Sequence, residues 1–179
     1  MHTEINTIKA MKKILIAFLL GTVFTYSQYD NSEKFTVYAG VITNGPDEYD
    51  FSDVVYGFGV HAVYDALKMH EGALGVKASA GFGDGFNAYY LGPNIRFGSR
   101  FFLDMDVLFG YKEITNPKLL TTFPGRTEYK GTAILWDVGF GYRFADMPLV
   151  LRGVMGISFA TGYDGVSPVF GLHAGYRFK

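Results

Sequence analysis

Eight charged side chains and two histidines share one property of spacing. Lys77, Arg96, Asp104, Asp106, Asp137, Arg143, Arg152 and Arg177, with His61 and His173, all fall on the small or polar side of segments in which apolar residues alternate with the rest. Residues two apart on a strand face the same way, so alternation would gather these groups on one surface. There they could form a proton or ion path, or Asp104-x-Asp106 could offer two metal ligands from one strand face. They could equally neutralise one another: four Arg and one Lys stand against three Asp, and no His/Asp/Glu cluster has the spacing of a metal site. Buried charges left without partners are too costly to survive. The expected arrangement is therefore a structural network of salt bridges, with no metal and no cofactor.

The elements that must position these groups are strands. The last is the clearest: Phe170, Leu172, Ala174, Tyr176 and Phe178 alternate with Gly171, His173, Gly175 and Arg177. Large apolar groups on one face with glycine or charge on the other describe a strand between lipid and a crowded interior. Seven more segments read the same way, at about Lys34 to Thr43, Val54 to Asp65, Ala73 to Phe82, Tyr89 to Phe97, Phe101 to Tyr111, Ile134 to Phe144 and Leu149 to Phe159. The second carries Gly57, Gly59, His61 and Asp65 on its small or polar face. In the fourth, Pro93 cannot donate to a ladder and should mark a bulge or a weakened pairing. The predicted fold is all-β, an eight-stranded antiparallel up-and-down transmembrane barrel. Apolar residues among the inward positions, Val55, Val63, Phe102, Leu108, Leu135, Val150 and Val154, argue for a closed interior.

The connections alternate too. Gly98-Ser99-Arg100 and Ala145-Asp146-Met147-Pro148 are short, with a slightly longer turn at 68–72, whereas 44–53, 83–86, 112–129 and 160–167 are on average longer and rich in Gly, Asp and Pro. Short periplasmic turns opposed to long external loops are the bacterial outer-membrane pattern. The front of the chain agrees. Met11-Lys12-Lys13, the apolar run Ile14 to Leu20 and the small residues Thr25 and Ser27 compose a cleaved signal peptide over 11–27, with Gln28 as mature N-terminus. Residues 1–10 then form an upstream extension, with Met11 the expected true start, 28–33 a short tail and 34–179 the barrel. The apolar run is too short for a spanning helix, which needs about 20 residues.

Composition narrows the classes further. Without cysteine there is no disulfide, thiolate metal site or lipidated N-terminus; 13 Tyr, 17 Phe and 23 Gly suit interfacial rings around a glycine-relieved interior. The first 27 residues hold three Lys and one Glu, so the mature chain keeps 13 basic and 16 acidic groups and has no basic patch for nucleic acid.

On these strands and on its terminal motif, the chain resembles the small OmpA/OmpX-type eight-stranded outer-membrane barrels over roughly Lys34 to Lys179. Phe170-x-Leu172-x-Ala174-x-Tyr176-x-Phe178 looks like the assembly signal such barrels present to the outer-membrane insertion machinery, with Phe178 as the terminal aromatic and Lys179 trailing it. The endings Gly139-Phe140-Gly141-Tyr142-Arg143-Phe144 and Gly175-Tyr176-Arg177-Phe178 are similar to strand ends of outer-membrane proteins. With the barrel running to the C-terminus, the peptidoglycan tethering of the larger OmpA proteins is not implied. Some small barrels are enzymes, and deacylase types carry His-x-Ser on a strand. Here the strand histidines read His61-Ala62-Val63 and His173-Ala174-Gly175, and no enzyme is expected. Gly81-x-Gly83-x-Gly85 lacks the helix a phosphate site needs and reads as a hairpin loop.

The expected function is an integral outer-membrane barrel of structural or surface-interaction type with a largely plugged lumen. The alternatives are a narrow porin-like channel, a surface enzyme and a soluble lipocalin-like binding barrel with its apolar face turned inward. Expected partners are outer-membrane lipids, the insertion machinery and a surface ligand reached through loops 44–53 and 112–129. In those loops, Asp47, Glu48, Asp50 and Asp53 form an acidic surface, and Leu119, Leu120 and Phe123 are either adhesive or packed on the rim.

Overall fold

Strict alternation leaves each segment one way to bury its polar side without exposing a sheet edge, which is to curl the sheet until its ends meet. The computed structural model describes residues 34–45, 54–120, 127–161 and 166–178. It contains β1 (Phe35–Asn44), β2 (Val55–Met69), β3 (Gly72–Gly83), β4 (Phe86–Gly98), β5 (Phe101–Ile114), β6 (Tyr129–Arg143), β7 (Leu149–Ala160) and β8 (Val166–Phe178). Each strand pairs antiparallel with the next, and β8 pairs with β1 from Phe35↔Phe178 to Asn44↔Val169, closing the barrel. Strands of 10 to 15 residues meet the roughly 9 to 11 that a tilted strand needs to span hydrocarbon. No helix among the described residues is long and apolar enough to cross a membrane.

The expected signal peptide, upstream extension and tail (1–33), the acidic residues Asp47, Glu48, Asp50 and Asp53, and Phe123 and Lys179 lie outside the described residues.

The faces separate as the alternation predicts. Tyr56, Leu91, Phe101, Phe109 and Leu172 stand on the outer surface, with Tyr56 and Leu172 each 69% exposed, while Arg96, Asp104 and Asp106 inside are 0% exposed. This is the reverse of a water-soluble barrel, in which the apolar face packs the interior. All seven inward apolar residues named from the sequence are buried.

The strands run further than expected at one end of the barrel. β5 and β6 continue to Ile114 and back from Tyr129, so Lys112 belongs to the ladder and not to a loop. The 83–86 connection, grouped with the long loops by its glycines, is a two-residue turn at Asp84-Gly85, with Gly85 in the left-handed region at φ 69°. Gly98 takes φ 88° at the turn before β5. Pro93 causes no bulge. The β4–β5 pairing stops at Leu91↔Phe109 and resumes at Asn94↔Asp106 in unchanged register, while the β3 side is unbroken through Val76↔Pro93. The missing N–H therefore weakens one ladder only. A bulge that the alternation did not signal shifts register between Asp65 and Leu67.

The start of β1 at Phe35 and the end of β8 at Phe178 share one rim with the turns at 70–71, 99–100 and 144–148, hereafter the turn end; the other rim is the loop end. After β5 a single 3-10 turn, Pro117–Leu120, folds Leu119 and Leu120 inward, where they join Ile42, Val55, Phe86, Ile114, Tyr129 and Ala160 in an apolar cluster at the loop end. These two leucines thus pack and are not exposed.

Candidate functional site inside the barrel

The cluster forms because alternate residues of neighbouring strands point at one another across a narrow interior. Along β5, Asp104 and Asp106 share the inward face, and the register sets Asp106 opposite Asp137 on β6, Asp104 opposite Arg96 on β4, and Asn94 opposite Asp106. Two carboxylates directly opposite would repel. Lys77 and Arg152 answer this by reaching both: Lys77 Nζ donates to Asp106 Oδ2 at 2.5 Å and Asp137 Oδ2 at 2.9 Å, and Arg152 Nη2 donates to Asp106 Oδ2 and Asp137 Oδ1, each at 3.0 Å. Arg152 also grips Asp104, Nη2 to Oδ1 at 2.7 Å and Nε to Oδ2 at 3.0 Å. Arg96 Nη1 donates to Asp65 at 3.1 Å, and its Nε lies 4.0 Å from Asp104. Asn94 Nδ2 closes the set on Asp106 Oδ1 at 2.7 Å.

The result is one chain of alternating charge, Asp65, Arg96, Asp104, Arg152, then the Asp106/Asp137 pair, then Lys77, drawn from six of the eight strands. Charge-assisted bonds of this geometry are the strong ones. The glycines of the inner face make room for these long side chains. A Cβ on Gly139 would stand 2.7 Å from Arg152 Nη2, where the guanidinium now passes.

Of the site residues read from the sequence, Lys77, Arg96, Asp104, Asp106, Asp137 and Arg152 come together here. Arg143 is buried, with its guanidinium 5.1 Å from the Phe102 ring centroid on the turn-end side. Arg177 lies apart, half-buried at the rim, where Nη2 donates to the carbonyls of Phe144 and Met147 at 2.8 and 2.7 Å. Phe170, Leu172, Tyr176 and Phe178 are exposed on the outer face of β8. Asp65 and Lys112 were not singled out, although both continue the alternation, Lys112 as the even-numbered successor of Asp104 and Asp106.

A second polar group adjoins the cluster. His61 Nδ1 is hydrogen-bonded to Ser79 Oγ at 2.8 Å, and His61 Nε2 to His173 Nε2 at 2.8 Å. A hydroxyl, an imidazole and a third orienting group in series are the components of a nucleophilic site. The adjoining cavity is about 40 Å³, room for a few waters. The carboxylates of Asp104, Asp106 and Asp137 stand close enough to share a cation, but the Lys77 ammonium and the Arg152 guanidinium hold that position.

No family model and no curated protein matches the sequence. Solved structures do. Ail, the attachment invasion locus protein of Yersinia pestis, in its complex with the heparin analogue sucrose octasulfate, aligns with a TM-score of 0.50 at 16% identity over 82% of this chain and 99% of its own. Neisserial surface protein A aligns with a TM-score of 0.52 at 16% identity, covering 81% and 96% of the two chains. A de novo designed transmembrane β-barrel gives 0.51 at 13% identity over 84% and 100%. The chain has the fold of a small transmembrane β-barrel. At these identities the likeness is one of fold, and the charged interior is described by this chain's own residues. In a transmembrane barrel the exposed rings of β1, β5 and β8 are lipid-facing, and the cluster sits inside the wall they form.

Proposed function

We propose that the protein is an integral outer-membrane barrel of structural or surface-interaction type, exported with a signal peptide over 11–27 cleaved before Gln28, inserted as the barrel 34–179, and plugged along its axis. The single observation that carries this reading is the ion-paired cluster from Asp65 to Lys77. It bridges the interior from six strands, with an apolar layer at each end: Tyr38, Val63, Phe102 and Val150 toward the turns, and the Leu119/Leu120 cluster toward the loops. An eight-stranded interior is just wide enough for side chains to fill. In this reading the charges inside the barrel are structural, Arg177 pins the turn-end rim, and the outer face of β8 from Phe170 to Phe178 is what the insertion machinery meets.

With the lumen filled, contact with the outside falls to the loop end, and the segments expected at 44–53 and 112–129, less the strand residues 44, 112–114 and 129, are the surface for a ligand. Binding of a sulfated heparin analogue by Ail is a parallel for surface recognition on this fold. We assign no enzymatic role to Ser79 and His61, which lie beside the salt-bridged cluster at a cavity of about 40 Å³.

Two measurements test the proposal. In planar bilayers the purified protein should show at most small, rare openings, and a large steady conductance would make it a porin. The chain has no native cysteine, so single cysteines can report orientation. One at Lys118, exposed at the loop end, should react with a membrane-impermeant maleimide on intact Gram-negative cells; one at Asp146, exposed at the turn end, should react only after the outer membrane is permeabilised. The opposite labelling pattern would reverse the orientation, and labelling of neither on intact or permeabilised cells would remove the protein from the outer membrane.

A further inference from the structure

Lys112 differs from the cations of the ion-paired cluster. Lys77, Arg96 and Arg152 each reach a carboxylate, whereas Lys112 has no carboxylate partner among the described residues. It is 2% exposed, and among the described residues its Nζ makes one hydrogen bond, donated to Asn44 Oδ1 over 3.4 Å. A buried ammonium held by one long bond to a neutral amide is strongly disfavoured unless a negative group completes its shell.

The geometry shows where such a group fits. Lys112 and Asn44 line a cavity of about 40 Å³ in the loop half of the lumen, with His61, Ser79, Tyr90 and Asp137 among its other polar residues. Asp137 makes no bond to Lys112, since its two oxygens are turned to Lys77 and Arg152. The Tyr90 hydroxyl is bonded to Ser158 and the Ser79 hydroxyl to His61. The remaining wall is apolar, with Phe86, Leu135 and Val154 among it. One water needs roughly 10 to 15 Å³ of such space, so this cavity accepts an ion of halide size, alone or with a water.

We propose that the loop half of the lumen holds a monovalent-anion site, with Lys112 Nζ as its charged ligand and chloride or a similar halide as its occupant. The ion lies on the loop side of the Lys77/Arg152 cluster, under the apolar cluster of Leu119 and Leu120, and completes the shell of an interior ammonium that no carboxylate of the described residues reaches. It is a site for a bound ion and implies no conduction.

The test uses the whole refolded barrel in detergent micelles, with sodium bromide, sodium chloride and sodium gluconate at one ionic strength. A ligand bound only by the folded state raises the unfolding midpoint saturably, so halide should raise it over gluconate in the natural protein and leave Lys112→Met unmoved. Crystals grown in bromide should show an anomalous peak within roughly 3.5 Å of Lys112 Nζ, ordinary hydrogen-bonding reach. Equal midpoints in halide and gluconate, or an equal halide effect in Lys112→Met, would overturn the proposal. If Lys112→Met fails to fold, the bromide peak in the natural protein decides: density at Nζ supports the site, and water or no anomalous peak there ends it.

Discussion

Arg152→Met should lower folding stability by about 3 to 5 kcal/mol, the cost of breaking a buried pair from one side. The side chain is 2% exposed and donates to Asp104, Asp106 and Asp137 together. In the natural cluster Lys77, Arg96 and Arg152 are shared among four carboxyl groups, Asp65, Asp104, Asp106 and Asp137. Arg152→Met takes a cation from three of them in a medium that cannot screen them. The double variant Arg152→Met/Asp104→Leu removes one of the stranded carboxyl groups and should recover a measurable part of the loss, although two charges have been removed instead of one. Urea unfolding followed by the fluorescence of Trp136, which lies 45% exposed on the outer wall, measures all three proteins. A water-filled lumen predicts something different. Solvent would screen the carboxylates, the single change would cost under about 1 kcal/mol as for exposed pairs, and the double variant would show no recovery.

Val138→Arg tests the opposite side of the same wall. Val138 follows Asp137 in β6, points outward, and lies between Met105 of β5 and Met155 of β7 in the ladder. Its neighbour Asp137 is held by Lys77 and Arg152 at the middle of the lumen, so the valine stands at a similar depth, facing hydrocarbon. A charge there should cost roughly 2 to 4 kcal/mol in bilayers. Single cysteines make the comparison without charge. A spin label at Val138 should be relaxed by lipid-dissolved oxygen in preference to a water-soluble reagent, and one at Asp137 should lack that preference. If the label at Val138 shows no preference for oxygen, the outer wall does not face lipid and the transmembrane reading fails.

How much of this was legible without coordinates follows from the range of each interaction. Alternation is a local property of the backbone, so the eight strands, their two faces and the closed all-β architecture could be read from residues two apart. Pro93 could be placed for the same reason: its defect lies in its own missing N–H. The loop-end strand extensions were harder, because Lys112 and Glu113 look like loop residues until the partner strand is seen to continue through Gly131 and Lys130. The partners across the lumen were not legible at all. Lys77 on β3 finds Asp137 on β6, and His61 on β2 finds His173 on β8. Such distances depend on tilt and stagger around the whole barrel, which no local pattern encodes. Asp65 was visible as an inward residue but acquired its meaning only when Arg96 was found beside it.

The seam between β1 and β8 has a kinetic consequence. Phe35 pairs with Phe178, and their rings lie 5.7 Å apart between centroids, so the first and last described strands form one ladder. Every other pairing joins strands consecutive in the chain and can form by local zipping, but this one waits for the final residues to arrive. Contacts between distant parts of a chain are slow to form, and until this one forms a growing sheet of any length carries two bare edges able to recruit other chains. A chain that stops short of β8 therefore cannot give a smaller barrel; it remains an open sheet, and the interval before closure is when aggregation competes most strongly with insertion.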